Sequence, residues 1–432
     1  MCDVCDNRSP WRYRMDDRRT LSRRGFTALA AGAVAALGTT GAALPVAPAR
    51  GGSHPPRGRR MRGEWVASIT NRDWPSAPGL PASVQKDELR GHLDTAVERR
   101  LDTVILQVRP SADALWPSPY EPWSAYLSGE QGKDPGYDPL GFAVREAHRR
   151  GLELHAWFNP YRVAVHDDPD RLVPTHPARV NPDWVVTYQG QMYYNPGLPE
   201  VRRYVEDAML DAVAHYDIDA VHWDDYFYPY PVAGQPFDDD RAFALYGGDF
   251  PDRAAWRRHN TDQLVRETSS RLRRLKPRVR FGISPFGVWR NASTDPRGSD
   301  TSAAVQSYDD LYADTLRWVR EGWIDHIVPQ LYWNIGFPAA DYATLARWWA
   351  KAVRGTGVDL YIGESLYKVG DTAQPAAWMD PAELSRHLDL TARLPEVHGH
   401  AFFAAKEVAN DPLGAMTRVV RDHYRERAPL RG

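Results

Sequence analysis

Asp219-Ala-Val-His-Trp-Asp-Asp-Tyr-Phe-Tyr-Pro-Tyr-Pro231 opens as a short apolar strand and closes on two adjacent carboxylates, Asp224 and Asp225. A loop dense in tyrosine and proline follows. Strands that deliver polar groups to long loops are the habit of parallel α/β proteins, where chemistry collects at strand ends. Outward from this stretch the same beat recurs. Short apolar runs fall at 63–69, 103–108, 152–158, 220–223, 279–284, 326–331, 360–363 and 399–404. Longer amphipathic runs separate them at 83–100, 139–150, 200–215, 253–275, 305–321, 340–354 and 381–394, and 412–425 closes the series. Eight β-then-α units in succession predict a (β/α)8 TIM barrel with long post-strand loops. An open doubly wound sheet would place a Gly-rich phosphate turn after its first strand. Thr70-Asn-Arg-Asp-Trp-Pro75 stands there instead.

Connection lengths add a direction to the barrel. Turns into strands are short, as in Arg354-Gly-Thr-Gly357, whereas the segments 109–137, 159–199, 226–252 and 286–304 follow strands. Loops of that size serve a function or are disordered. Their tryptophans and tyrosines, among them Trp116, Trp123 and Trp289, argue for ordered cleft walls on the face where barrel enzymes keep their sites.

The N-terminus reads as an address. Ser22-Arg-Arg-Gly-Phe26 is a twin-arginine signal, an Ala- and Gly-rich run follows to Leu44, and Ala47-Pro-Ala49 offers small residues for cleavage. The expected division is a signal region at 1–49, a flexible tether at 50–61 and the barrel at 62–432. Export through the twin-arginine route, to a secreted or wall-associated location and without a lasting membrane span, is the expectation. Both cysteines, Cys2 and Cys5, precede the signal, so a thiol nucleophile is not expected in the exported part. Residues 1–49 hold 7 of the 54 Lys and Arg and 4 of the 56 Asp and Glu, which leaves the remainder at −5. No basic footprint for nucleic acid is present. The 16 Trp, 21 Tyr and 35 Pro suit structured loops with flat faces for a ligand.

Strand alternation nominates the polar groups at the barrel's mouth. The second strand offers Gln107 and Arg109, the third Trp157 and Asn159, and the fourth His222, Asp224 and Asp225. The sixth adds Gln330, Tyr332 and Trp333, and the seventh Glu364. Asp73 and Asp113 lie in post-strand loops and could bind hydroxyls or merely make turns, and Tyr226 is a candidate stacking face. Glu64 begins its strand at the wrong end for catalysis and reads as structural. His222 reads as an orienter of Asp224 rather than a metal ligand, because no H-x-H or H-E-x-x-H group joins it. No metal or cofactor is expected. A G-x-S-x-G elbow is absent, which leaves a serine hydrolase without its nucleophile.

Several stretches together resemble the glycosyl-hydrolase-like family 10: Arg62-Gly-Glu-Trp-Val-Ala-Ser-Ile-Thr-Asn-Arg-Asp-Trp-Pro-Ser76, Gln107-Val-Arg-Pro-Ser-Ala-Asp113, Ala156-Trp-Phe-Asn-Pro-Tyr161, Asn195-Pro-Gly197, His222-Trp-Asp-Asp-Tyr-Phe-Tyr-Pro229 and Pro329-Gln-Leu-Tyr-Trp-Asn334. The resemblance runs from about Arg62 past Tyr367. It implies a (β/α)8 barrel, export from the bacterial cytoplasm and hydrolysis of glycosides, with peptidoglycan glycan strands as the polysaccharide partner. It adds Tyr161 and Asn195 to the substrate-binding candidates, and it lowers Glu64 and Glu364 as essential catalysts.

Adjacent aspartates point to different faces and cannot straddle a sugar ring as a separated carboxylate pair does. A substrate-assisted scheme fits better: a 2-acetamido group attacks its own anomeric carbon. Asp225 is then expected as acid and base, with Asp224 holding the acetamide N–H, as in families that use such a pair on N-acetylglucosamine linkages. The alternatives are a retaining hydrolase with an Asp nucleophile, a glycan-binding barrel without catalysis, and a metal-dependent deacetylase.

Overall fold

A computed structural model of the protein describes residues 59–426. The expected signal at 1–49 and most of the expected tether lie outside the described residues. Eleven strands are present among the described residues. They are β1 (Met61–Val66), β2 (Thr103–Arg109), β3 (Glu153–Phe158), β4 (Arg162–Ala164), β5 (Val185–Tyr188), β6 (Gln191–Tyr194), β7 (Ala220–Trp223), β8 (Arg280–Ile283), β9 (His326–Ile327), β10 (Asp359–Glu364) and β11 (Val397–Phe403). Eight close into a parallel barrel in chain order, β1-β2-β3-β7-β8-β9-β10-β11, and β11 pairs back onto β1. The predicted (β/α)8 barrel is the observed fold, and each of its strands overlaps a predicted run.

Two apolar layers hold the wall. Met61, Trp65, Ile105, Trp157, Val328, Tyr361 and Ala401 form the filling of the barrel. The alternating neighbours Val66, Val104, Leu106, Phe158, Trp223, Ile283, Ile362 and Phe402 pack outward against the helices. This period of two is what a strand buried on both faces requires. The helices Ala82–Glu98, Pro139–Arg149, Pro199–His215, Arg253–Leu275, Tyr342–Val353 and Glu383–Thr391 lie near the predicted runs. Pro starts two of them at the first turn, where its missing N–H costs nothing.

Two features depart from expectation. The run 305–321 is two short helices, Ser307–Asp310 and Thr315–Arg320, because the Asp314 side chain caps the second by accepting from the Arg317 N–H. The loop after β3 carries its own antiparallel sheet, β4-β6-β5. Its hairpin turns at Gln189 and Gly190, both at positive φ. No helix of the described residues is long and apolar enough to cross a membrane.

Candidate active site

Asp224 and Asp225 follow β7, the fourth strand of the barrel wall, directly. Trp223 points outward and meets Phe281 edge-on at 4.7 Å, which anchors the strand tip from behind. His222 points inward, so Asp224 inherits the inner parity, and both aspartates are only 5% exposed. Asp224 Oδ2 accepts from the Trp157 indole N–H at 3.1 Å and from the Asn159 amide. Its Oδ1 has one long contact, the Tyr226 backbone N–H at 3.3 Å. Asp225 is held differently: Gln330 Nε2 donates to Oδ1 at 3.1 Å, and the Tyr230 hydroxyl donates to Oδ2.

Burial, and then the neighbouring Asp225 charge, push Asp224 up to about 7. Burial also raises Asp225, against the opposing hydrogen bonds from Tyr230 and Gln330. Two such carboxyls act as one unit that sheds its protons in steps. Asp224 is thereby placed to exchange a proton near neutral pH.

A chain of amides fixes Asp224 from a distance. Gln107 Oε1 accepts the backbone N–H groups of Ser68 and Ile69 at 3.0 and 2.9 Å. Its Nε2 must therefore face Asn159 Oδ1, at 2.6 Å, and Asn159 is left to give its own N–H to Asp224. The walls are aromatic. Tyr332, half-buried, lies 5.9 Å from Tyr367 and 6.3 Å from Phe403, and Trp333 stands at 90° to Phe286. Tyr226 lies under the Arg162 guanidinium, 4.6 Å from its ring centre.

The other candidates are held by other groups or by burial. Arg109 is fully buried and pairs with Glu121 at 2.7 and 2.5 Å, while its Nη1 donates to the carbonyls of Asn159 and Pro160. A register shift between β2 and β3 at this point turns it into loop packing. Asp73 is a turn clamp that accepts from the Ala67 N–H at 2.8 Å and pairs with Arg72. Asp113 is buried with Oδ1 unpartnered among the described residues, and burial pushes it up to about 7. Tyr161 is fully buried in the outer apolar layer. Asn195 bonds the Gly197 N–H at 2.9 Å and so shapes a turn. Glu364 lies on the outer parity of β10, where Tyr342, His387 and His400 bond it at 2.6, 2.8 and 2.9 Å. Glu64 shares the outward parity of β1 and is buried, and that burial pushes its carboxyl well above the usual range. A cavity of about 670 Å³ lined by Trp116, Glu121 and Trp123 shares no lining residue with the aspartates, so the chemistry is read from the pair.

Arg162 and Tyr230 are the site residues that reading strand ends overlooked. Arg162 belongs to a three-residue strand inside a loop. Tyr230 stands five residues beyond Asp225, on a loop whose return path strand alternation cannot give.

Below the pair, His155, His222 and His326 bring one ring nitrogen each within 4.8 Å of the others, all three rings fully buried. Gly282 makes room for them, since a Cβ there would sit 1.8 Å from His326 Nε2. Such a trio can hold a metal only if three lone pairs converge. The Trp65 indole, a donor only, gives its N–H to His222 Nε2 at 3.2 Å, so the His222 proton sits on Nδ1. His222 thus bonds Trp65 and Ser284 rather than orienting Asp224. Protonation of the trio is opposed by burial, which pulls His155 to about 3 and the other two well below 6.5.

A His whose folded pKa is depressed leaves the unfolded chain to take up protons alone below about 6.5, so its contribution to stability is lost as pH falls. Asp113 and Asp262, raised to about 7 and 6, act in the opposite sense. Wild type is therefore expected to lose about 2 kcal/mol relative to His326→Phe between pH 7 and 5, read from urea unfolding at both pH values. Equal pH slopes for the two proteins would show that His326 is charged in the fold.

Comparison with known proteins bears on this geometry. A family model described as glycosyl hydrolase-like 10 matches residues 60–380. Glycosyl hydrolase YngK of Bacillus subtilis (strain 168) is 50% identical over 368 residues, 85% of this chain and 72% of that protein. Glycosyl hydrolase DigH of Escherichia coli (strain K12) is 42% identical over 377 residues, 82% of this chain and 85% of that protein. Among solved structures, the glycoside hydrolase domain of PgaB (BpsB) from Bordetella bronchiseptica aligns with a TM-score of 0.56 at 16% identity, over 84% of this chain and 98% of that one. The catalytic domain of a beta-amylase from Paenibacillus polymyxa aligns at 0.51 and 10% identity, over 85% and 98%. These two likenesses are of fold.

Proposed function

The chain belongs to the glycosyl hydrolase-like 10 family, and from that premise we propose that it is a glycoside hydrolase acting on N-acetylhexosamine-containing glycans, the glycan strands of peptidoglycan in particular. Export through the twin-arginine route, to where such glycans lie, is part of the same proposal. One observation carries the chemistry. Asp73 is tied to Arg72 and the Ala67 N–H, and Glu364 to His387 on the outer parity of β10, so neither is offered as a separated carboxylate partner for Asp224 and Asp225. A substrate that brings its own nucleophile removes the need for one.

In this scheme the carbonyl oxygen of the 2-acetamido group attacks the anomeric carbon as the glycosidic bond breaks. The departing oxygen takes a proton from one aspartic acid, and the resulting ring intermediate is opened by water, which returns a proton to the same carboxylate. Two inversions at one carbon give retention. The hydrogen-bonding pattern supports Asp224 as the proton carrier, the reverse of the assignment expected from sequence. Asp224 Oδ1 has only a long backbone contact, so a proton there displaces little. Both oxygens of Asp225 are engaged by Tyr230 and Gln330, which favours its ionised form as the fixed partner of the acetamide N–H.

The test is mass spectrometry of products from peptide-free and peptide-bearing glycan strands. New reducing ends are expected, with N-acetylhexosamine on the glycone side of the cut bond, and a thiazoline analogue of the ring intermediate is expected to compete. No new ends on any amino-sugar glycan would sink the proposal in favour of a glycan-binding barrel. A trapped glycosyl ester on Asp225 would replace the substrate's nucleophile by the protein's.

A further inference from the structure

The aspartate pair needs a counter-charge, and the described residues supply one. Arg162 opens β4, whose pairing with β6 sets it opposite Tyr193. Its Nη1 donates to the Pro110 carbonyl at 3.1 Å, and its guanidinium carbon lies over Tyr226, 4.6 Å from the ring centre. The side chain is 7% exposed, yet no described carboxylate lies within 4.0 Å of its nitrogens. A buried cation without an ion pair is costly unless charge nearby offsets it. The charge at hand is that of Asp224 and Asp225, on both of which Arg162 acts through space.

We propose that Arg162 is the counter-cation of the Asp224–Asp225 pair, a positioning residue that holds the pair to a single proton while occupying none of its oxygens. The inference rests on the pair being the reactive group of the hydrolase proposed above. Two neighbouring carboxylates with no cation near would drift to the doubly protonated form, which holds an acid but no anion for the acetamide N–H. A direct ion pair would fail in the other direction, by capturing one carboxylate outright. A guanidinium kept at a distance favours one negative charge on the pair without choosing which oxygen bears it. Other titratable groups face the pair: Tyr226 and Tyr230 from the loop after β7, and Tyr332 from the loop after β9. Burial raises all three, so they stay neutral while the pair titrates. Tyr193 and Tyr126, the other titratable groups near Arg162, are raised by burial as well. The position suits arginine, because a guanidinium covers Tyr226 while its Nη1 donates to Pro110, two tasks that a single ammonium would have to divide.

The test compares wild type with Arg162→Gln and Arg162→Lys. Removing the cation raises the affinity of both carboxylates for protons. Both limbs of the bell-shaped kcat/KM profile are therefore expected to move upward by about one pH unit in R162Q, and by less in R162K. The protonated-carboxyl infrared band of the substrate-free protein, assigned by its loss in Asp224→Asn, should shift its midpoint in the same direction. Unmoved midpoint and limbs in a folded R162Q would overturn the proposal, as would a loss of rate that is equal at every pH. If R162Q does not fold, an unshifted R162K overturns it equally. If wild type cleaves no amino-sugar glycan, the infrared midpoint still decides the role of Arg162, while the hydrolase reading falls on its own product assay.

Discussion

Asp224→Asn is expected to lower hydrolysis of an N-acetylhexosamine oligomer by about 10²- to 10⁴-fold, the usual worth of a general acid, while leaving binding of that oligomer intact. The substitution is nearly isosteric, and the retained carbonyl can still accept from Trp157 and Asn159, so the fold should stand. What it removes is the proton for the departing oxygen. The loss should therefore depend on the leaving group. An aryl glycoside whose phenol leaves readily needs no proton, and Asp224→Asn should turn it over at a rate much nearer that of wild type. Asp225→Asn should lose both substrates, because a misaligned acetamide fails whatever leaves. Steady-state kinetics on the two substrates separates the roles. If Asp225→Asn were the variant rescued by the good leaving group, the assignment would return to the one expected from sequence.

Glu121→Ala is expected to cost about 3–5 kcal/mol of stability, the penalty of stranding a buried charge. Its partner Arg109 is fully buried and has no other carboxylate in bonding contact among the described residues. Left alone, that guanidinium keeps only the Asn159 and Pro160 carbonyls. Removing both partners should cost less than removing one, so Arg109→Met with Glu121→Leu is expected to recover part of the loss in urea titration. If the single variant is as stable as wild type, water reaches Arg109 and the pair is not sealed. Activity should suffer as well, because Arg109 ties the backbone of Asn159, which holds Asp224.

The barrel was legible because its signal is repeated: eight apolar runs, each buried on two faces, separated by amphipathic helices. The β4-β6-β5 sheet escaped because strands of three and four residues have no period to count, although Gln189-Gly190 between alternating apolar runs marks the turn. At the site, the inward set Gln107, Trp157, Asn159 and Asp224 was nominated by alternation, and the structure brings its members into contact. Alternation does not say which parity faces in. Gly363 takes the inner parity of β10, and Glu364 beside it meets His387 outside the wall. Nor does alternation register a shift in pairing, which is what diverts Arg109. Arg162 stands directly after the Asn-Pro-Tyr run, and only its position in space reveals what its charge offsets.

The amide chain through Gln107 and Asn159 runs in one direction only. Its polarity is set where two backbone N–H groups at Ser68 and Ile69 meet Gln107, and every later donor has no alternative orientation. The acid strength of Asp224 is thus partly written in the conformation of a loop on a different strand. A change in the turn after β1, made for any reason, would retune the pH at which the aspartate pair titrates without touching either carboxylate. Inheritance of an altered optimum among relatives could then be sought in that turn, in a part of the chain where an inspection of catalytic residues alone would find nothing changed.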